Sequence, residues 1–171
     1  MRKALILLTA LALGACANQN PNGIAAGPGG VGVDPNAQAG VVPGSPNDPA
    51  SIPYFQQTVG DRVLFLVDQH TLTSEAQGVL FRQAAWLKAN PGYSVRVEGH
   101  ADEQGTREYN IGLSNRRAVS VREFLISQGI PASRIQTVGF GKERPIEICS
   151  EEACYAQNRR AVTVLAVGAG V

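Results

Sequence analysis

The stretch between residues 60 and 167 predicts an α+β fold, a two-layer sandwich in which helices pack on a small mixed sheet. Tyr93, Val95 and Val97 alternate with polar residues, which is the period of a strand with one buried face. Apolar residues on both sides of that strand return every three or four positions, which is the period of a helix. Because strands alternate with helices, crossover connections lay the helices on the sheet. The predicted strands cover residues 63–67, 93–98, 135–139 and 160–167, and the predicted helices cover residues 74–90 and 111–128.

The first predicted helix shows both a start signal and a buried stripe. Ser74 with Gln77 fits a capping box, in which the two residues satisfy each other's backbone N–H groups. Trp86 is assigned to packing rather than to function. The buried stripe consists of Ala76, Leu80, Ala84 and Leu87.

The amino terminus has the layout of a bacterial export signal. The largely apolar run from Ala4 to Leu13 follows two basic residues and is too short to span a bilayer. Leu13-Gly14-Ala15-Cys16 resembles a lipobox, with Leu three places before Cys and small residues at the cut. We therefore expect residues 1–15 to be removed as a signal peptide and Cys16 to become a diacylglyceryl-modified amino terminus.

Ordinary signal cleavage is the alternative, because Ala15-Cys16-Ala17 also matches the pattern of a secretory signal. The lipobox is favoured because Cys16 stands where lipidation requires it and a tether-like segment follows. Ala17 at the second mature position resembles lipoproteins sorted to the outer membrane. Several acyl chains anchor firmly, since each buried methylene contributes about 0.8 kcal/mol. The predicted location is the outer membrane, with the folded domain in the periplasm.

A flexible linker is predicted for residues 16–52, between the lipid and a folded domain at residues 53–171. The linker is rich in Asn, Gly, Pro, Ala and Gln, so it buries too little apolar surface to offset its ordering entropy. A coil of about 36 residues has a root-mean-square span of roughly 30 to 36 Å. The domain would search the cell wall while its lipid stays in the membrane.

Size and charge narrow the class of protein. The folded part, about 118 residues, has the size of one compact domain. The net charge of +1 does not indicate a nucleic-acid partner or electrostatic attraction to a membrane surface.

The segment from Val97 to Ala118 carries the candidate site. A strand ends at Gly99, an acidic turn containing Asp102 follows, and helical spacing then resumes. Leu113 and Arg117 are four apart, so they share one face of the helix. A turn folded over that face would place Asp102, which can bind a cation, close to Arg117, which can bind an anion. Such a pocket suits a zwitterion better than a simple ion.

Three separated motifs carry a family resemblance: GHADEQGTREYNIGLSNRRA from Gly99, FGKERP at Phe140–Pro145 and NRRAV at Asn158–Val162. They resemble the OmpA-like peptidoglycan-binding domain family, and in particular its lipoproteins of the Tol-Pal system. The resemblance covers roughly residues 52–167. The family usually carries Asp after the Phe of its first strand, whereas Leu66 follows Phe65 here. Asp68 matches the family's second acidic position.

The resemblance implies a ligand, the meso-diaminopimelate of the peptidoglycan stem peptide, whose free end bears an amine and a carboxylate. The family's amine-binding aspartate falls on Asp102, and its carboxylate-binding arginine falls on Arg117. A guanidinium fork matches a carboxylate, and an aspartate offers only acceptors to an ammonium. Leu113 is expected to contact the ligand's methylenes, and Thr106 and Asn110 to add hydrogen bonds. Both charged side chains are expected at a surface pocket, so their replacement by Ala is expected to leave the fold intact.

The implied function is that of a non-enzymatic outer-membrane lipoprotein that binds peptidoglycan noncovalently and links the envelope layers. By resemblance, its further partners are TolB and other Tol proteins, and it supports envelope integrity and cell division. No cofactor and no metal is expected.

Three other protein classes fit less well. A cell-wall hydrolase or other wall-modifying lipoprotein requires a general acid/base pair or a metal. An outer-membrane barrel needs at least eight spanning strands. A flagellar stator subunit shares the domain but needs an uncleaved spanning helix.

Single residues at the site also have plain structural interpretations. Asp102 after a Gly-His turn is often a turn former or a helix cap, and Arg116 with Arg117 would fit a solvated helix face. His100 invites a metal or catalytic assignment, but the chain has only two histidines and no spaced ligand set. We assign His100 a structural, hydrogen-bonding role.

Cys149 and Cys154 remain once Cys16 is lipidated. They lie five positions apart in the predicted loop before the last strand, and an oxidising periplasm favours a disulfide between them. The closed loop is short, so the chain-entropy model gives only about 2 kcal/mol of stabilisation. A redox or metal-binding role lacks the CxxC spacing. Replacing both with Ser is expected to preserve wall binding, because the bridge lies far in sequence from the pocket.

Overall fold

A four-stranded sheet organises the part of the chain that the computed structural model describes, residues 41–167. The strands are β1 (Arg62–Leu64), β2 (Tyr93–Gly99), β3 (Ile135–Gly139) and β4 (Arg160–Val167). Their order in the sheet is β1-β4-β2-β3. Strands β2 and β3 run parallel, whereas β4 is antiparallel to both of its neighbours. The predicted small mixed sheet is confirmed. The predicted signal peptide, the lipidated Cys16 and most of the predicted linker lie outside the described residues.

Between residues 41 and 167, four helices accompany the sheet: α1 (Ile52–Tyr54), which continues as a π-helical turn through Phe55–Gly60, α2 (Ser74–Ala89), α3 (Arg107–Ser127) and α4 (Glu152–Asn158). A short 3₁₀ turn at Ala132–Arg134 precedes β3. Helices α2 and α3 pack on the sheet and enclose the core, which confirms the α+β two-layer class. Within residues 41–167, no helix has the length and apolar character needed to cross a membrane.

The starts of the two long helices differ from the predicted ones. Thr73, not Ser74, caps α2, because its Oγ1 accepts from the backbone N–H of Ala76 at 3.2 Å. The predicted N-cap at Ser74 is therefore wrong by one residue, and no capping box forms because Ala76, three residues after Thr73, has no polar side chain to return the bond. Helix α3 begins at Arg107, four residues before the predicted start, because the Thr106 side chain caps it. The apolar period of α3 begins one turn later, so a prediction from periodicity misses this first turn.

Two helical segments were not predicted from the sequence. Residue 52 belonged to the predicted linker, no element was predicted for residues 53–60, and residues 152–158 belonged to the predicted loop that carries the cysteines. Both segments are shorter than ten residues, and an apolar period needs a longer window to be visible. Such short helices draw their stability from tertiary contacts rather than from local propensity.

The core joins the sheet to α2 and α3 through aliphatic and aromatic side chains. The predicted stripe of α2 is buried as expected: Ala76, Leu80, Ala84 and Leu87. Trp86 also packs in the core, with its ring centroid 4.9 Å from that of Phe55 and 5.2 Å from that of Tyr93. Its Nε1 donates to the carbonyl of Pro49 at 2.7 Å, which satisfies the indole N–H. This contact ties residues assigned to the linker to the folded domain.

Two strand-end glycines let α3 approach the sheet closely. A Cβ at Gly99 would overlap the Ser114 carbonyl oxygen and lie 2.8 Å from its carbon. A Cβ at Gly139 would lie 2.6 Å from the Cγ of Asn115. The helix therefore rests directly on the ends of β2 and β3. This close approach brings the turn after β2 next to the middle of α3.

His100 follows β2 and is buried against Phe140, with ring centroids 5.5 Å apart. Within the described residues, neither ring nitrogen has a hydrogen-bond partner, so the hydrogen-bonding role expected of the side chain is wrong. The backbone bonds instead, because the His100 N–H donates to the Arg160 carbonyl at 2.9 Å. Burial, together with the charges of Arg160 and Arg144, lowers the pKa of His100 to about 4.

Gly99→Ala should destabilise the domain, because the new methyl group meets helix backbone that can move only by displacing α3 from the sheet. We expect a loss of about 3 kcal/mol in the free energy of unfolding, measured by urea denaturation. Gly78→Ala is the control, since Gly78 lies in α2 with nothing within 4 Å of the added Cβ. That variant should gain up to about 1 kcal/mol from helix propensity. Equal stability of the two variants would contradict the close approach.

The unusual pKa of His100 makes the fold acid-sensitive. The imidazole titrates near pH 4 in the folded protein and near its ordinary value of 6.5 in the unfolded chain. As the pH falls through this window, the unfolded state binds the proton first, so stability is lost from pH 6.5 down to about 4. The full effect is about 3 kcal/mol. His100→Phe should therefore gain stability relative to wild type as the pH falls from 7 to 4, and a pH-independent difference would refute this cause.

Candidate functional site

An open cavity of about 210 Å³ lies between the segment after β1, the turn after β2 and the first half of α3. The structure brings four of the five predicted ligand contacts to its wall: Asp102, Asn110, Leu113 and Arg117. The other wall residues are Val67, Asp68, Gln104, Gly105 and Tyr109.

Arg117 forms the floor of this pocket and is fully buried. Its guanidinium donates to three backbone carbonyls, those of Gln69 (Nε, 2.8 Å), His100 (Nη1, 2.8 Å) and Leu66 (Nη2, 3.2 Å). It also lies over the ring of Phe65, 5.2 Å from the centroid. A guanidinium has five N–H donors, so two remain for a ligand.

Burial lowers the pKa of Arg117 to about 10, an effect that the carboxylates of Asp102 and Asp68 oppose and the charge of Arg159 reinforces. The side chain is thus a cation at neutral pH. Within residues 41–167, no carboxylate forms an ion pair with it. A desolvated cation held only by neutral carbonyls is suited to receive an anion.

The two charged residues lie at a pocket, as expected, but both side chains are buried rather than solvent-exposed. Arg117 is 0% exposed and Asp102 is 7% exposed, although both border the cavity. Replacing Arg117 with Ala would leave the carbonyls of Gln69 and His100 without this donor, whereas the Leu66 carbonyl keeps a bond from the Gln69 N–H at 3.2 Å. Each unsatisfied buried group costs about 1 to 3 kcal/mol. This arginine is therefore a structural residue as well as a pocket residue.

Asp102 has contacts on both carboxylate oxygens. Its Oδ2 accepts from Nη1 of Arg159 at 3.1 Å, and its Oδ1 accepts from the backbone N–H of Gln104 at 3.3 Å. The second contact, two residues ahead, is the bond of an Asx turn. The turn-former interpretation of Asp102 is therefore correct, and it is compatible with a place on the pocket wall.

The other two polar candidates hold the local structure together. The Nδ2 of Asn110 donates to the carbonyls of Asp102, at 3.3 Å, and Gln104, at 2.7 Å, so this amide pins the acidic turn to α3. Thr106 does not line the cavity, and its Oγ1 accepts from the backbone N–H of Tyr109 at 3.2 Å. Leu113 is buried one turn before Arg117 and supplies an apolar part of the wall.

Three residues at or beside the pocket were not assigned from the sequence. Tyr109 precedes Leu113 and Arg117 by one and two helical turns, so the same spacing rule reaches it once α3 is known to begin at Arg107. Asp68 adopts a left-handed backbone with φ of 56°, and the Tyr109 hydroxyl donates to its Oδ1. That contact raises the pKa of Tyr109. Arg159, the third, belongs to the NRRAV motif, and no local pattern links it to the acidic turn.

Comparisons with known proteins place this chain in a family. The sequence model of the OmpA family matches residues 64–159. The peptidoglycan-associated lipoprotein of Agrobacterium fabrum is 48% identical over 169 residues, which are 98% of this chain and 89% of that protein. The peptidoglycan-associated lipoprotein of Pseudomonas aeruginosa is 39% identical over 161 residues, 92% of this chain and 91% of that one.

Solved structures agree with the sequence relatives. The crystal structure of the peptidoglycan-associated lipoprotein from Burkholderia pseudomallei matches with a TM-score of 0.63 at 35% identity, over 71% of this chain and 98% of that one. The C-terminal domain of Helicobacter pylori MotB shares the fold alone, with a TM-score of 0.59 at 18% identity, over 64% of this chain and 86% of that one. The chain belongs to the OmpA family, as one of its peptidoglycan-associated lipoproteins.

Proposed function

We propose that the folded domain binds peptidoglycan noncovalently by holding the free end of diaminopimelate in the stem peptide. The observation that carries this proposal is the buried Arg117 guanidinium, which faces an open cavity and lacks an ion-pair partner in the described chain. A ligand carboxylate would complete its hydrogen bonding and balance its charge.

The opposite charge of the ligand meets the acidic part of the same cavity. Its ammonium would lie against Asp102, with Asp68 contributing a second carboxylate from the segment after β1. The methylenes between the two ends would lie on Leu113. Thr106 and Asn110 stay predicted contacts, and both also shape the pocket through their helix-cap and turn bonds. Binding in this arrangement makes and breaks no covalent bond.

The envelope role follows from joining this domain to a lipid. We propose that Cys16 carries the acyl chains, that these lie in the outer membrane, and that the domain reaches the wall from the periplasmic side. Membership in the peptidoglycan-associated lipoproteins supports this arrangement. TolB and other Tol proteins are the further partners that we propose, and they would couple the lipoprotein to envelope integrity and cell division.

Asp102→Asn and Arg117→Lys should each weaken binding to isolated sacculi of the diaminopimelate type by at least tenfold. Losing one partner of a desolvated charged contact typically costs about 2 to 5 kcal/mol, and a lysine ammonium cannot make the forked contact. Affinity is measured by co-sedimentation over a concentration series. Arg116→Lys is the control, because Arg116 is an exposed neighbour outside the cavity wall.

Two further measurements separate binding from folding. Thermal unfolding identifies variants that lose affinity only because they unfold, which we expect for Arg117→Ala and not for Asp102→Asn. A stem peptide with lysine in place of diaminopimelate lacks the carboxylate for Arg117 and should compete poorly for the wild type. Unchanged binding by the folded Asp102→Asn and Arg117→Lys proteins, or equal competition by the lysine peptide, would move the binding site elsewhere.

Lipid attachment at Cys16 predicts a specific loss. Cys16→Ser should leave the protein unprocessed or soluble, whereas the wild type should incorporate labelled palmitate and partition into detergent. Both forms are compared by Triton X-114 phase separation. Equal aqueous partitioning of the two would reject the lipobox.

A further inference from the structure

Arg159 connects the pocket to the cysteine-bearing helix α4. It is 4% exposed and spans two carboxylates. Its Nη1 lies 3.1 Å from Oδ2 of Asp102, and its Nη2 donates to Oε1 of Glu152. Its Nε donates to the carbonyl of Phe65 at 3.3 Å. One buried guanidinium thus divides its charge between a pocket carboxylate and a carboxylate of α4.

Glu152 is placed by the disulfide bridge. It is the first residue of α4, and the bridge between Cys149 and Cys154 encloses it, with the two Cα atoms 5.9 Å apart. The predicted pairing of these cysteines is present. A helix of seven residues is too short to be stable by itself, so the bridge fixes the turn that presents Glu152.

A second tie leads from the far end of α4 to the same acidic turn. Asn158 is fully buried, and its Nδ2 donates to Oε1 of Glu103 at 2.9 Å. Its Oδ1 accepts from the backbone N–H groups of Ile146, at 2.9 Å, and Glu147, at 3.2 Å. The turn that carries Asp102 is therefore held by two neighbouring residues at the carboxyl end of α4, Asn158 and Arg159, and Glu152 at the amino end of α4 contacts Arg159.

We propose that these residues form a clamp, the α4 clamp, in which the Cys149–Cys154 bridge and Glu152 position Arg159, and Arg159 positions Asp102 for the ligand's ammonium. This proposal rests on the proposed function. Glu152 draws part of the Arg159 charge away from Asp102, so the Asp102 carboxylate keeps affinity for a second cation. Without Glu152, the Arg159 guanidinium would form both of its charged hydrogen bonds with Asp102. It would then compete with the ligand's ammonium for the Asp102 carboxylate.

The clamp reverses an expectation drawn from the sequence. The cysteines lie 47 or more positions after Asp102 in the chain, yet only two side chains, those of Glu152 and Arg159, separate the bridged segment from the pocket carboxylate. Distance in sequence is no measure of coupling here. Removal of the bridge should therefore weaken ligand binding rather than leave it unchanged.

The decisive variant is Glu152→Gln, which keeps the side-chain shape and removes the charge that holds Arg159. Glu151→Gln is the matched control, because Glu151 has the same charge one residue earlier and its side chain makes no capping bond to α4. Binding of soluble stem peptides to the full-length protein in detergent is measured by calorimetry. Glu152→Gln should lower affinity for the diaminopimelate peptide about fivefold, the scale of a partly exposed ion pair. Glu151→Gln should bind as the wild type does.

The lysine-containing peptide shows which half of the ligand is affected. The clamp acts on the ammonium contact, which both peptides make, so Glu152→Gln should weaken both by the same factor and preserve their ratio. Arg117→Lys should instead reduce that ratio, because only diaminopimelate has the carboxylate. If Glu152→Gln instead loosened the whole pocket, the ratio of the two peptide affinities would move toward one. That result would contradict the proposed clamp.

A second variant tests the bridge. The Cys149→Ser, Cys154→Ser protein should remain folded and lose affinity for both peptides in the same direction as Glu152→Gln. If the wild type binds the diaminopimelate peptide and both variants bind it equally tightly, the clamp is wrong while the proposed function stands. If the wild type itself does not bind, both proposals fail.

Discussion

The buried Arg117 guanidinium is the interaction on which the rest of the site depends. It bonds backbone carbonyls on either side of the sheet's centre, from Leu66 and Gln69 after β1 and from His100 after β2. A cation removed from water is tolerated only where hydrogen-bond acceptors compensate for its lost hydration, so these segments must converge on α3. The pocket is the space that stays open to solvent where these segments meet α3.

This arrangement joins stability to recognition in one side chain. The close approach of α3 at Gly99 brings Arg117 to the carbonyl of His100, and the same approach places Asn110 under the acidic turn. Changes that disturb the helix position therefore alter the fold and the pocket together. Effects on stability and on ligand binding are separated by variants that keep the size of the side chain and change only its charge or its hydrogen-bonding geometry.

Sequence periodicity predicted the sheet, the stripe of α2 and the spacing of Leu113 and Arg117, because each depends on neighbours within a few residues. It did not predict α4 or the ion pair between Asp102 and Arg159, which joins residues 57 positions apart. Pairs formed by tertiary folding leave no local period in the chain. The left-handed backbone of Asp68 likewise depends on its surroundings rather than on its own preference.

In the proposed complex, selectivity between wall types would follow from the hydrogen-bonding groups of the pocket that a ligand leaves without a partner. A peptide that covers the cavity but has no terminal carboxylate would further exclude water from Arg117 while giving its two remaining N–H groups no acceptor. Asp102 would discriminate less, because Arg159 already satisfies one of its oxygens and because the ammonium is common to both peptides. In the proposed complex, rejection of the lysine-type wall would therefore arise at the buried arginine, whereas the acidic turn, with α4 behind it, would set the strength of the ammonium contact common to both peptides.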